Sequence, residues 1–251
     1  MKLAICGFGR AARALAKNIL DTDTHTLQAV LCRASSTKQG MDIGDILYGK
    51  GKSVGIAITS PEKILEARED YDIDVVIDFS HHDMAFPLIA LCGNLGANLV
   101  ICTTNHSIEE ISKFQEFSEK LNLGVVYAPN LTIGINLLMD FVKRLAKISP
   151  DFSFEIVERH PKDKAPVTTT ARMISQAIDR EDVPIHSVRL NGYVGVHEVT
   201  ASNGYEKITI EHESFSRMAF ANGALLAAGY IQNRKGFYLM QDVVKDIISD
   251  K

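Results

Sequence analysis

Along the first half of the chain, apolar residues fall into short unbroken runs separated by stretches with helical period. "KLAIC" leads into "FGRAARALAKNIL", and "TLQAVLC" follows. After a Gly-containing segment of poor periodicity come "DVVIDF", "MAFPLIALCGNLG", "NLVICTT", "SIEEISKFQEFSEKL" and "LGVVYAP". Apolar strands with few polar interruptions, alternating with helices, predict a parallel sheet covered on both faces. Residues 1–129 are thus expected to form a doubly wound α/β domain.

The pattern then changes. "TIGINLLMDFVKRLAKI" reads as an amphipathic helix and "SFEIVERH" as a strand that runs into a loop rich in positive charge. Three threonines, Thr168 to Thr170, open the next helix, and "PIHSVRLNGYVGVHEVTASNGYEKITIEHE" supplies three strand-like pieces with turn residues between them. Residues 130–215 therefore read as an α+β substrate-binding and oligomerisation domain with an open mixed sheet. Residues 216–251 return to helix through "SFSRMAFANGALLAAGYIQ" and end in "GFYLMQDVVKDIISD"; their small-residue face is expected to pack back onto the first domain.

Composition narrows the function classes. A hydrophobic fraction of 46% in 251 residues builds a sizeable core, and 23% charged residues is ordinary for a globular chain. A net charge of −4 and a pI near 6.1 give no electrostatic reason to expect nucleic acid or an anionic membrane as partner. No apolar run approaches the roughly 18 residues of a membrane span, and "MKLAICGFGR" does not read as a signal peptide. Cys6, Cys32, Cys92 and Cys102 contain no C-x-x-C pair, and three of them lie in or beside apolar runs. A reduced, cytoplasmic protein is expected.

The first chemistry-bearing motif is "GFGRAA", Gly7, Phe8, Gly9, Arg10, Ala11 and Ala12, directly after a strand and opening a helix. This is the G-x-G-x-x-A dinucleotide pattern of a Rossmann-type βαβ unit. The first Gly makes the tight turn, the second admits the pyrophosphate, and the small third residue lets helix and strand approach. The helix N-terminus offers N–H groups and a positive dipole end to the phosphates. An NAD site carries an acidic residue after the second strand, whereas no Asp or Glu occurs here between Thr24 and Met41. Arg33, Ser35, Ser36 and Lys38 instead suit a 2′-phosphate, so NADPH is the preferred cofactor, with NADH second. A solvated basic loop is the bland reading of the same residues.

The crossing from "FEIVERH" to the threonines reads as an anion site. Helix N–H groups, the hydroxyls of Thr168, Thr169 and Thr170, and the charges of Arg159, Lys162 and Lys164 could hold a carboxylate. His160 closes the strand, and Pro161 favours an extended backbone there. The remaining histidines show no ligand spacing such as H-E-x-x-H, so no metal is expected.

Taken together, "GFGRAA", "DVVIDFS", "ICTTN", "YAPNLTIGINLL", "VERH…KAP", "IHSVR", "VGVHEV", "FANGALLAAGYI" and "GFYLMQDV" resemble the dihydrodipicolinate reductase family in order and over nearly the whole chain. The resemblance implies NAD(P)H-dependent reduction of 4-hydroxy-tetrahydrodipicolinate in lysine and diaminopimelate synthesis, and a homotetramer built through the open sheet. It implies that Thr103 and Thr104 lie beside the nicotinamide, with Phe79 and Ser80 in the neighbouring turn and Ala128 to Asn130 at the domain crossover. His160 matches the first histidine of the family's E-x-H-H segment. The catalytic lysine falls on Lys164 when counted from His160 and on Lys162 when anchored on Ala165-Pro166; Lys164 is preferred. The chain departs from the family where substrate is expected. Pro161 stands for the second histidine, Val167-Thr168-Thr169 or Thr168-Thr169-Thr170 for an S-G-T turn, Leu190-Asn191 for a double Gly, and Asn105 for a Gly. Those changes motivate a second reading, a reductase or dehydrogenase for another small carboxylated imine or amino acid. A third is a non-catalytic NADP-binding sensor.

Overall fold

The computed structural model describes residues 1–249. The chain divides into two units, Met1–Leu131 with the segment from Phe220 onward, and Thr132–Ala219.

The first unit runs β1 (Lys2–Cys6), α1 (Arg10–Thr22), β2 (Thr26–Leu31), α2 (Ile43–Tyr48), β3 (Ile58–Thr59), α3 (Pro61–Glu66), β4 (Val75–Asp78), α4 (Ala85–Leu95), β5 (Asn98–Ile101), α5 (Ile108–Lys120) and β6 (Gly124–Tyr127). The second unit then carries α6 (Ile133–Ile148), β7 (Ser153–His160), α7 (Thr169–Ile178), β8 (Ile185–Arg189), β9 (Val196–Ser202) and β10 (Lys207–Glu213). The chain ends in α8 (Met218–Ile231), β11 (Gly236–Leu239) and α9 (Met240–Ser249).

Seven strands form the first sheet in the order β11-β6-β5-β4-β1-β2-β3, every recorded pairing being parallel. The chain leaves β1 in one direction toward β2 and β3, and in the other toward β4, β5 and β6. That reversal between β1 and β4 opens a crevice at the carboxyl ends of the strands, where doubly wound folds bind their ligands. Strands β4, β5 and β6 are buried at every residue, which is why they read as continuous apolar runs. Helix α5 begins on a capping box between Ser107 and Glu110, a signal already present in "SIEE".

Two features differ from the sequence expectation. The poorly periodic segment after β2 holds α2, β3 and α3, elements of six, two and six residues, too short to impose a period. "GFYL" in the final run is not helix but strand β11, paired with β6 from Gly236 opposite Gly124 to Leu239 opposite Tyr127. A four-residue strand at a sheet edge is decided by its partner more than by its own sequence. Buried Asn98 fastens the same corner: its side chain donates to the Ile231 and Gln232 carbonyls and accepts from the Gly124 N–H. In α8, a Cβ at Gly223 would collide with the Leu131 carbonyl, so the small residues of "FANGALLAAGY" mark a close backbone approach.

In the second unit, four strands form a mixed sheet in the order β10-β9-β7-β8, with β7 parallel to β8 and antiparallel to β9. Helices α6 and α7 share its core through Leu138, Met139, Val142, Phe154, Ile156 and Ile174. The burial of β7 alternates strictly. Phe154, Ile156, Glu158 and His160 are buried, whereas their odd-numbered neighbours are not. Period 2 therefore puts a carboxylate and an imidazole on the face that carries the core.

Candidate active site

In the first unit the glycine turn is built as its residues require. Gly7 has φ +83 and donates its N–H to the Leu31 carbonyl at 2.8 Å. A Cβ there would lie 2.7 Å from the Ser80 Cα and 2.8 Å from the Phe79 carbonyl oxygen. The turn after β1 and the turn after β4 thus touch, bringing Phe79 and Ser80 to the predicted cofactor loop. Gly9 is the N-cap of α1 with no side-chain cap, and a Cβ there would meet nothing within 4 Å. Uncapped N–H groups facing open space fit a dinucleotide pyrophosphate. Ala12 is fully buried against the sheet, Arg10 is exposed and Ala11 half-buried. The Phe8 side chain is buried, while its carbonyl accepts from Arg13 at 3.1 Å and Lys38 at 3.4 Å. Arg33 and Ser35 are exposed just beyond β2.

Asp78, at the end of β4, organises the neighbouring loops. Its side chain is fully buried and accepts from the Ser80 N–H at 2.9 Å, the Ser80 hydroxyl and the Thr103 hydroxyl at 3.4 Å. Burial pushes this carboxyl up to about 6, against the pull of those hydrogen bonds. Thr103 also contacts His106 Nε2 at 2.8 Å. Asn105, at φ +69, adopts the left-handed backbone that a Gly would take freely. Ala128 is buried and donates its N–H to the Ile101 carbonyl.

In the second unit the structure assembles a polar cluster of which the local pattern announced only part. Glu158 is fully buried at the centre. It accepts from Arg189 Nη2 at 2.7 Å, the Ser187 hydroxyl at 2.6 Å, the Thr168 N–H at 3.2 Å and the Thr168 hydroxyl. Burial works to raise its pKa, but these donors win and hold the carboxylate below its ordinary range. Arg189 also donates to the Ala165 and Pro166 carbonyls, and so ties the lysine-bearing loop to β8. Thr168 caps α7 by accepting from the Ala171 N–H at 3.2 Å.

His160 turns Nε2 toward His197 Nε2, 3.4 Å away, and both lie 3.7 Å from the same Glu158 oxygen. Desolvation lowers the pKa of both, His197 to about 3, with Lys164 adding its repulsion, so the imidazoles are neutral at pH 7. Of the residues singled out from the sequence, His160 and Thr168 meet through Glu158, and Lys164 lies close enough for its charge to reach them. Lys162 and Lys164 are exposed, as is Thr169 at the head of α7, with Thr170 half-buried beside it. Arg159 is not brought to this cluster. Its guanidinium lies on the other face of β7, paired with Glu198 at 3.0 Å and Glu211 at 3.3 Å.

Sequence reasoning missed Glu158, Ser187, Arg189 and His197. The alternation of β7 could have coupled Glu158 to His160; the others reach the cluster only by strand pairing, His160 opposite Arg189 for instance.

The family description "Dihydrodipicolinate reductase, N-terminus" matches residues 1–131, and "Dihydrodipicolinate reductase, C-terminus" matches 134–244. The 4-hydroxy-tetrahydrodipicolinate reductase of Thermosipho africanus is 37% identical over 211 residues, covering 83% of this chain and 94% of that protein. The enzyme of the same name from Ralstonia pickettii is 32% identical over 270 residues, covering 97% and 99%. Among solved structures, the dipicolinate-bound dihydrodipicolinate reductase from Paenisporosarcina sp. TG-14 superposes with a TM-score of 0.79 at 21% identity, over 96% of this chain and 98% of that one. At that identity the superposition speaks for the fold alone. With both halves matched in order around an intact glycine turn, the chain belongs to the dihydrodipicolinate reductase family.

Proposed function

We propose that this protein is a 4-hydroxy-tetrahydrodipicolinate reductase of lysine and diaminopimelate synthesis that prefers NADPH. The observation that carries this reading is the match of both family descriptions across one chain whose cofactor turn is structurally complete. Gly7, Gly9 and the α1 N-terminus hold the pyrophosphate, and Arg33, Ser35 and Lys38 receive the 2′-phosphate. Thr103, Thr104, Phe79, Ser80, Ala128 and Asn130 surround the nicotinamide, whose chemistry is hydride donation.

The second unit supplies substrate binding and the proton. Glu158 neutralises Arg189 and fixes Thr168, so the substrate carboxylates are met by Thr169, Thr170 and the loop lysines. Lys164 is the proton donor on the position it takes when the family motif is counted from His160. His160 positions the loop and is not itself the acid, since its Nε2 faces His197 and its side chain is only 8% exposed. Replacing Lys164 by Ala lowers kcat by roughly 10²–10⁴-fold with NADPH affinity retained, while Lys162→Ala stays within a few-fold. Equal effects at the two positions would remove the assignment. By the family resemblance the protein is a cytoplasmic homotetramer built on the open face of the second sheet, which light scattering tests directly. Among the described residues no helix is long and apolar enough to cross a membrane.

The deciding assay is NADPH oxidation with enzymatically generated 4-hydroxy-tetrahydrodipicolinate, repeated with NADH. Turnover with NADPH favoured supports the reading in full. Absence of turnover with tight NADPH binding favours the second reading, reduction of another small carboxylated imine. One observation speaks for that alternative: the hydroxyl and the N–H of Thr168 are both engaged by the chain's own Glu158.

A further inference from the structure

The convergence of Glu158, His160 and His197 has a consequence beyond proton transfer. Glu158 Oε2, His160 Nε2 and His197 Nε2 form a triangle with sides of 3.7, 3.7 and 3.4 Å. A tetrahedral zinc ion with bonds of roughly 2.0–2.2 Å separates its donors by about 3.3–3.6 Å. The two imidazole ring centroids lie 5.0 Å apart with their planes inclined at 68°. Two imidazoles bound through Nε2 to one tetrahedral ion place their centroids about 5 Å apart. All three side chains are buried, and they constitute a two-His, one-carboxylate set in which no atom has to travel far.

The groups behind these donors are arranged as the surroundings of a metal require. The second oxygen of Glu158 is held by Ser187 and Arg189. His160 makes a hydrogen bond with the Val194 backbone that favours its protonated form, as a carbonyl acceptor does. His160 Nε2 faces both His197 Nε2 and Glu158 Oε2, so a bound ion would replace the contact between the two imidazoles. The Thr168 hydroxyl, 3.4 Å from His197 Nε2, is a fourth polar atom at the same point.

We propose that Glu158, His160 and His197 form a binding site for a divalent ion of the zinc class. Three protein donors leave one coordination position open, and Arg189 shares the carboxylate, so the ion is held reversibly and less tightly than in a four-ligand structural site. A bound ion takes the lone pairs of both imidazoles and stiffens the β7–α7 crossing. On the reductase reading above, its effect there is inhibition that a chelator reverses.

The test uses full-length, chelator-treated protein titrated with Co²⁺, whose visible bands report four-coordinate geometry independently of turnover. One equivalent should bind with intense bands, Zn²⁺ should displace it, and His197→Gln and His160→Gln should each weaken binding by roughly 100-fold or more. The exposed His81, His82 and Asp83 form the other convergent group among the described residues. An H81A/H82A variant should bind Co²⁺ as the parent does. Loss of binding in H81A/H82A with retention in His197→Gln would overturn the proposal, as would no saturable binding to the parent protein. Should His197→Gln fail to fold, anomalous diffraction at the zinc edge from crystals of the unmodified protein decides. An ion among the three side chains sustains the proposal, and zinc located only elsewhere overturns it. A protein that binds Co²⁺ at this place but reduces no substrate keeps the metal site and loses only the reductase reading.

Discussion

Two carboxylates, Asp78 in the first unit and Glu158 in the second, are each fully buried, yet they ionise in opposite directions. Asp78 has two hydroxyls and one N–H around it and no cation within hydrogen-bond reach among the described contacts. Desolvation dominates, and the group is pushed up to about 6. Glu158 has the same kind of hydroxyl and N–H donors plus the Arg189 guanidinium at 2.7 Å, and its carboxylate stays charged. Burial alone does not decide the charge state of an acid; the donors around it count as well, and at Glu158 Arg189, Ser187 and Thr168 together outweigh desolvation. The difference also separates two ways of making a site. Asp78 organises a surface of backbone and hydroxyls beside the glycine turn, whereas Glu158 anchors charged and titratable groups.

The harshest way to break the comparison is to remove the guanidinium. Arg189→Met leaves Glu158 buried beside two hydroxyls and the Thr168 N–H, much as Asp78 is, and frees the Ala165 and Pro166 carbonyls. Breaking a buried pair from one side costs about 3–5 kcal/mol, which urea unfolding reads directly. Adding Glu158→Gln to Arg189→Met should recover a large part of that loss, because the uncompensated charge is gone. A single mutant that loses less than about 1 kcal/mol would show that the ion pair contributes little beyond its hydrogen bonds.

The cofactor side is broken more gently, through its glycines. Gly7→Ala at φ +83 drives a Cβ into Ser80 and Phe79, pushing the turn off Asp78. Strain of that kind costs roughly 1–3 kcal/mol, and NADPH binding falls with it. Gly9→Ala meets nothing within 4 Å in the protein, so its melting temperature should stay near the parent's while its NADPH affinity drops by about tenfold or more. Thermal melts paired with cofactor titrations separate the two roles. If Gly9→Ala binds NADPH normally, the space beside it is not where the pyrophosphate lies.

The two regions were unequally legible in the sequence. "LAICGFGRAA" writes its turn, its helix start and its open backbone into consecutive residues, and the fold realised each of them. The alternation of apolar runs likewise carried the parallel sheet, since β4, β5 and β6 have no polar face to interrupt them. The charged crossing was only half visible. "VERHPKDKAPVTTT" announces charge and hydroxyls, but Arg189 and His197 come from strands β8 and β9 and enter through pairing register, which one sequence does not display. Arg159 shows the reverse: adjacent in sequence to both Glu158 and His160, it lies on the opposite face of the same strand. Proximity along a strand misleads where the period of 2 governs.

The remaining effect concerns Asp78 itself and carries a sign that Glu158 cannot imitate. Its folded value near 6 lies above the unfolded value of 3.8, so between these pH values the folded chain binds a proton that the unfolded chain has released. This group therefore adds stability as pH falls from 6 toward 3.8 and withdraws it as pH rises through 6. Each unit of pH in that window is worth about 1.4 kcal/mol for one such group. Asp78→Asn keeps an oxygen for the Ser80 N–H, turns an amide NH2 toward the Thr103 hydroxyl, which can accept from it, and removes the titration. The variant should show a slope of unfolding free energy against pH more positive than the parent's by about 1.4 kcal/mol per unit between pH 4 and 6, and no difference in slope above pH 7. Urea midpoints collected every half unit measure it. Parallel profiles for parent and variant would mean that Asp78 titrates as an ordinary exposed carboxylate, and that the hydroxyls around it do as much for the charge as Arg189 does for Glu158.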